Sequence, residues 1–218
     1  MPIESVPHVN RPIHLVIFDL DGTLTKIDSL WRHLHEEFGT WDHGKVAAER
    51  YRNGEISYTE WAERDARCWA GAPLSEIRRI LDGIEYTTGA REVFEELRAR
   101  RIKTAILSAG LTILADKAAR DLKADYAIAN ELGTYDGHLT GEIIVKVGVN
   151  NKDEMIEEIA STFNVRLREV ALVGDRNFDL SQPECLKIAF KPKDELAKQN
   201  ADAVVVDEDL RMILQYLI

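Results

Sequence analysis

Leu15-Val16-Ile17-Phe18-Asp19-Leu20-Asp21-Gly22-Thr23-Leu24 is the stretch on which the reading of this chain turns. An apolar run ends in two carboxylates one residue apart, followed by Gly-Thr. A short apolar run bounded by a turn signal reads as a buried strand, here Ile13 to Asp19. In open α/β sheets, ligands gather outside the carboxyl ends of strands. Two acids placed there need a partner, because a buried carboxylate is costly unless it is paired or bound to a cation. Residues two apart in an extended segment point the same way, so Asp19 and Asp21 share a side.

Working outward, the segment after Gly89 alternates between helix and strand patterns. Helices are expected over 90–101, 112–122, 151–163, 179–185 and 209–216, the fourth limited by Pro183. Strands are expected over 102–107, 126–130, 170–173, 187–190 and 203–206, with an Asp-Gly hairpin turn at Tyr135-Asp136-Gly137-His138. This rhythm predicts an α/β fold, a Rossmann-like three-layer core with a mainly parallel sheet covered on both faces. The segment from 28 to 85 differs. It holds all four tryptophans and shows only helical patterns, among them a capping box of Ser57 and Glu60. It is expected to be an inserted all-helical domain with its own aromatic core, the main domain being formed by 1–27 and 86–218. Met1 to Arg11 is polar and is expected to be a loose arm.

The 218 residues carry a formal net charge of -10, which argues against a general affinity for nucleic acid or anionic membranes. No apolar stretch approaches the roughly 20 residues that span a bilayer, and Met1 to Pro12 lacks a signal-peptide apolar core. With Cys68 and Cys185 alone there is no disulfide framework, so a cytoplasmic protein is expected.

If the strands are parallel, Asp19, Asp21, Ser108 and Asp175 reach one sheet edge, with Asp179 and Lys152 close by. Four carboxylates cannot all ionise in one pocket without cations. Lys152 supplies one charge, and a hard divalent cation that takes oxygen ligands, Mg²⁺, would supply two more. No His/Cys cluster competes for zinc. Such a site suits a phosphate dianion. One carboxylate can attack phosphorus, and a second can move the protons.

Asp19-Leu20-Asp21-Gly22-Thr23 resembles the DxDGT signature of the haloacid dehalogenase-like phosphohydrolases. Ser108, Lys152 and Gly174-Asp175…Asp179 resemble that family's second, third and fourth motifs, in order. Within the family the chain is similar to the phosphoserine phosphatase-like group with a helical cap after the first strand. Ile106 to Gly110, Asp136 to Gly141 and Lys187 to Phe190 carry that closer likeness. The resemblance implies Asp19 as nucleophile and Mg²⁺ ligand, and Asp21 as general acid/base with its backbone carbonyl on the metal. It implies Asp175 as a direct ligand, Asp179 as a metal-site acid, and Ser108 and Lys152 as phosphate-binding groups. The implied partner is a small phosphorylated metabolite. The second Asp argues against dehalogenase chemistry. A phosphotransferase or phosphomutase stays open as an alternative, as does a receiver-like phospho-responsive module, which the long insert and Asp21 disfavour.

Three departures bear on substrate. The group's Glu nine residues after the nucleophile is Asp28 here. Its cap arginine, which meets the substrate carboxylate, aligns with Asp65, flanked by Arg64 and Arg67 on other helix faces. The asparagine before its last aspartate is Phe178, with Asn177 displaced by one. Asp28, Arg64 and Arg67 are the candidate substrate contacts. Phosphatase chemistry carries over; phosphoserine specificity does not.

Overall fold

Strand β1, Leu15–Phe18, is buried along its whole length and stops one residue before Asp19. The computed structural model describes residues 12–218, so the arm expected over Met1 to Arg11 lies outside the described residues. Six further strands follow: β2 (Lys103–Leu111), β3 (Tyr126–Tyr135), β4 (His138–Ile144), β5 (Val170–Gly174), β6 (Leu186–Phe190) and β7 (Ala203–Val205). They form one sheet in the order β4-β3-β2-β1-β5-β6-β7. Every pairing is parallel except the β3/β4 hairpin. The chain leaves β1 toward β2 and later returns to its other side at β5. β1 is therefore the topological switch point, where open α/β sheets place their ligands. Phe18 is in register with Ile106 and with Val173, so the ends of β1 and β5 lie level beside the Ile106–Ser108 part of β2.

Side chains along β1 alternate between two cores. Val16 and Phe18 join α5 (Ala90–Ala99) and α6 (Thr112–Leu122), with the Phe18 and Phe94 rings stacked at 4.9 Å. Leu15 and Ile17 join α7 (Lys152–Thr162) through Ile156 and Ile159. This is the three-layer arrangement that the alternating pattern implied.

Between β1 and α5 lie four helices: α1 (Leu30–Glu37), α2 (Trp41–Arg52), α3 (Tyr58–Cys68) and α4 (Leu74–Asp82). The Ser57/Glu60 capping box opens α3 as expected. Trp31 stacks on Trp69 at 5.8 Å, and both belong to the same buried cluster as the α5–α6 face of the sheet. The aromatic core of the insert is thus continuous with that of the main body. The two connections to this helical segment are bonded to each other, Lys26 N–H to Glu85 O at 3.0 Å and Thr87 N–H to Leu24 O at 2.9 Å.

Several elements differ from the sequence reading. β2 runs on through Ser108 to Leu111, and β3 extends to Tyr135. Asp136 (φ 47°) and Gly137 (φ 75°) form the tight turn expected of Asp-Gly, and it closes a full hairpin with β4. That hairpin grips the α3–α4 loop, with Leu139 N–H donating to Ala72 O at 2.9 Å and Gly71 N–H to Leu139 O at 2.8 Å. The helix expected over 179–185 is instead a 3₁₀ turn, Asn177–Leu180. The Asp179 side chain accepts the Arg176 N–H at 2.9 Å and winds the turn tightly. Pro183 then offers no N–H to extend it. The last expected helix splits into a 3₁₀ turn, Leu210–Ile213, and a short α9 (Leu214–Leu217). The short α8 (Glu195–Asn200) had no clear sequence pattern.

Asn130, fully buried in β3, joins three segments around the sheet edge. Its Nδ2 donates to Ala109 O (3.0 Å) and Val147 O (2.9 Å). Its Oδ1 accepts from the N–H groups of Lys146 (2.8 Å) and Val147 (2.9 Å). Asn130→Ala removes the Asn130 partner of the Lys146 N–H, the Val147 N–H and Val147 O, while Ala109 O keeps Trp31 and Tyr58, and is expected to cost about 2–4 kcal/mol in urea unfolding. An unchanged midpoint would count against this bracing role.

Candidate active site

Asp19 follows β1 and is pinned by its own N–H, which donates to Val173 O at 2.9 Å. Lys152, the first residue of α7, is 2% exposed and reaches in from the opposite layer. Its Nζ lies 2.9 Å from Asp19 Oδ1 and 2.5 Å from Asp179 Oδ1. Ser108 is buried in β2, its Oγ accepting the Gly110 N–H at 2.9 Å. Asp175 follows β5 and is buried. Asp21 Oδ2 accepts the N–H of Leu30, the first residue of α1, at 2.7 Å, while Oδ1 is buried with no hydrogen-bond partner. Gly22 (φ +82°) makes this crowding possible. A Cβ there would stand 2.5 Å from Asp175 Oδ2 and 2.3 Å from Lys193 Nζ.

The electrostatics follow from burial and crowding. Burial pushes the Asp21 carboxyl up to about 7, helped by the charges of Asp19 and Asp175 and opposed by the Leu30 N–H. Asp175 rises to about 6, mainly through burial and then Asp19, with Lys193 pulling it back. Burial and Asp19 also push Asp179 up, and Lys152 opposes them. Burial alone would weaken the charge on Lys152, but Asp179 and Asp19 more than offset it and hold the ammonium protonated.

Carboxylate oxygens of Asp19, Asp175 and Asp179 all lie within 4.8 Å of one another. An all-oxygen buried cluster of this size fits a hard divalent cation, and the donor set excludes a thiolate or imidazole site. The Asp21 carboxylate is not part of that cluster.

A cavity of about 480 Å³ opens over these groups and extends between the sheet edge and α1–α3. Asp28 lines it, but its Oδ1 sits 2.5 Å from Lys193 Nζ, which holds the carboxyl below its usual range. Arg64 and Arg67 are exposed and outside the lining; Arg67 pairs with Glu63 at 3.2 Å. Asp65 does line the cavity, its Oδ1 3.2 Å from His35 Nε2. Phe178 also lines it and stands over the Lys152 ammonium, 5.0 Å from Nζ to ring centroid.

Lys193 was missed by the sequence reading. It bridges Asp28 and Asp175, with 2.9 Å to Asp175 Oδ2. β6 ends at Phe190, on the same edge as β1 and β5, so Lys191-Pro192-Lys193 was the available signal. Tyr58, whose hydroxyl donates to Ala109 O beside Ser108, was missed as well.

The profile of the haloacid dehalogenase-like hydrolases matches residues 16–181. The chain belongs to this family. Among its relatives is a phosphoserine phosphatase of Methanocaldococcus jannaschii, 32% identical over 93% of this chain and 97% of that protein. Another, from Archaeoglobus fulgidus, is 33% identical over 92% of this chain, which spans 59% of that longer protein. A solved phosphoserine phosphatase carrying an analogue of its phospho-aspartyl intermediate superposes with a TM-score of 0.82. It is 30% identical, with 95% of this chain and 100% of that chain covered. The haloacid dehalogenase-like chain described here therefore stands with the phosphoserine phosphatase-like group. It is a phosphatase of that family, with the α/β fold and mainly parallel sheet that the group shares.

Proposed function

We propose that the chain is a Mg²⁺-dependent phosphomonoester hydrolase that acts on small phosphorylated metabolites through a phospho-Asp19 intermediate. One observation carries the reading. The Asp19, Asp175 and Asp179 carboxylates converge within 4.8 Å, with the Lys152 ammonium on two of them. Asp21 and Ser108 border the same cavity.

In this mechanism an Asp19 oxygen attacks phosphorus and the ester P–O bond breaks. The leaving alkoxide takes a proton from Asp21, whose pKa, raised to about 7, leaves a substantial protonated fraction near neutrality. Asp21, now a carboxylate, removes a proton from the water that attacks the phospho-aspartate. The acyl phosphate bond then breaks, releasing phosphate and restoring both acids. Ser108 and Lys152 hold the phosphoryl oxygens, and positioning with charge neutralisation supplies most of the rate. A Mg²⁺ held by Asp19, Asp175, Asp179 and the Asp21 backbone carbonyl would neutralise charge on the transferring group.

The proposal divides the chain into a catalytic core, 1–27 and 86–218, and a helical cap, 28–85. The bonded pair of linkers and the α1–α4 block between them support the division. It also places the enzyme in the cytoplasm. No described helix is long and apolar enough to cross a membrane.

Phosphate release from a panel of phosphorylated metabolites tests the reading. EDTA is expected to reduce release to the background rate, and added Mg²⁺ to restore it. Turnover indifferent to EDTA would remove the metal from the mechanism. Transfer of phosphate to an added sugar, in place of release, would replace hydrolysis by phosphotransfer.

A further inference from the structure

Away from the carboxylates the cavity changes character. The Trp31 indole N–H donates to Ala109 O at 3.1 Å, and the Tyr58 hydroxyl donates to the same oxygen, so both rings begin beside Ser108. From there the aromatic wall continues outward. Trp61 packs on Trp31 with ring centroids 5.2 Å apart. Tyr51 stacks on Trp61 at 5.4 Å, with only 9° between the planes. Trp41 lines the cavity as well.

Trp69, one layer deeper, is 1% exposed, whereas Trp41, Tyr51, Tyr58 and Trp61 are only half-buried and border the cavity. Leaving large rings open to water forgoes burial energy. A ligand with an apolar face recovers it, and a cavity whose wall is mostly apolar with a small number of placed polar groups is the usual form of a small-molecule site.

The polar groups on the cap side favour the same occupant. Asp65, buried against His35, presents an acid to the cavity wall, and Asp28 adds another at the mouth. Neither offers a substrate carboxylate a partner. Of the cations, Arg32 is bound to Glu36 at 2.7 Å, Lys193 is bound to Asp28 and Asp175, and Arg176 lines the carboxylate end of the cavity, next to Asp175 in the chain. Lys45 and Arg52 line the outer part from the exposed side of α2.

We infer that the substrate is the phosphate monoester of a ring-bearing alcohol, whose planar group lies against the Trp61–Tyr51 wall, and not a phosphorylated amino acid. The inference rests on the phosphatase reading and narrows it.

Benzyl phosphate and ethyl phosphate test it, because their leaving alcohols are similarly basic and the ratio of kcat/KM isolates the ring. Benzyl phosphate is expected to be favoured at least tenfold, with O-phosphoserine no better than ethyl phosphate. Tyr51→Ala and Trp61→Leu should each bring the benzyl-to-ethyl ratio toward one, a readout that is independent of how much enzyme is folded. A wild-type ratio near one overturns the inference and leaves the phosphatase reading standing. So does a preference for O-phosphoserine over benzyl phosphate, which would assign Lys45, Arg52 or Arg176 to a substrate carboxylate. Absence of phosphate release from all three compounds, with Mg²⁺ present, overturns the phosphatase reading and the inference with it.

Discussion

Asp19→Asn is expected to leave a folded protein whose kcat has fallen by at least about 10⁴-fold, the scale on which loss of an essential nucleophile acts. The amide is a poor nucleophile, and the neighbouring carboxylates are held in other positions. Asp21 is tied to the Leu30 N–H, Asp179 to Lys152 and the Arg176 N–H, and Asp175 to Lys193. Lys152 loses its 2.9 Å ion pair with Asp19 but keeps Asp179, so the cost in stability should be small. The backbone bond from Asp19 N–H to Val173 O is untouched, and β1 stays buried. Asp19 is also a charge that pushes Asp21, Asp175 and Asp179 up, so removing it relieves repulsion in the metal-free protein. The thermal midpoint in EDTA is expected to hold or rise. Acid-quenched wild type should carry substrate-derived phosphate and the variant none. A variant that still turned over at a tenth of the wild-type rate would exclude Asp19 as the nucleophile.

The catalytic half of the site was legible in the sequence because it depends on a simple geometric rule. Adjacent parallel strands run in register, so residues near their carboxyl ends meet, even though β2 itself continues past Ser108. Asp19, Ser108 and Asp175 needed only the strand assignments to be placed together. Lys152 was harder, since a lysine at a helix start is usually solvated, and its burial depends on α7 lying against the edge of β1 and β2. The substrate half was not legible in this way. On α3, Tyr58, Trp61 and Asp65 succeed one another by three and four residues and turn one face to the cavity. Arg64 and Arg67 fall off that face. Periodicity could mark the face but not what it opposes, because α2 and β2 supply the other walls. Lys193 escaped notice because its role arises in a loop, through two carboxylates from distant segments. The turn at Asn177–Leu180 is set by a side-chain-to-backbone bond from Asp179, which competes with helix and leaves no periodic trace. β4 alternates Leu139 and Gly141 inward between polar residues, too weak an apolar signal to mark a strand.

Lys152→Met is the other change with a large expected effect, and it separates charge from packing. The methionine fills much of the aliphatic volume but leaves Asp19 and Asp179 without their shared ammonium. Removing one partner of a buried ionic group typically costs about 3–5 kcal/mol, because the remaining charge stays desolvated. Here two carboxylates are left facing each other, within the 4.8 Å cluster that also includes Asp175. The ammonium is also proposed to meet the transferring phosphoryl oxygens, and deleting such a group costs about 10²–10³-fold in kcat. Both losses should appear together, the first by urea unfolding in EDTA and the second by phosphate release with saturating Mg²⁺. Lys152→Arg distinguishes the two. It keeps the positive charge and should recover much of the stability. A planar guanidinium cannot place one donor where the ammonium contacts both Asp19 and Asp179, so its kcat should stay close to that of the methionine variant. If Lys152→Met unfolds at the wild-type urea concentration, the ammonium is not what holds the carboxylate cluster together.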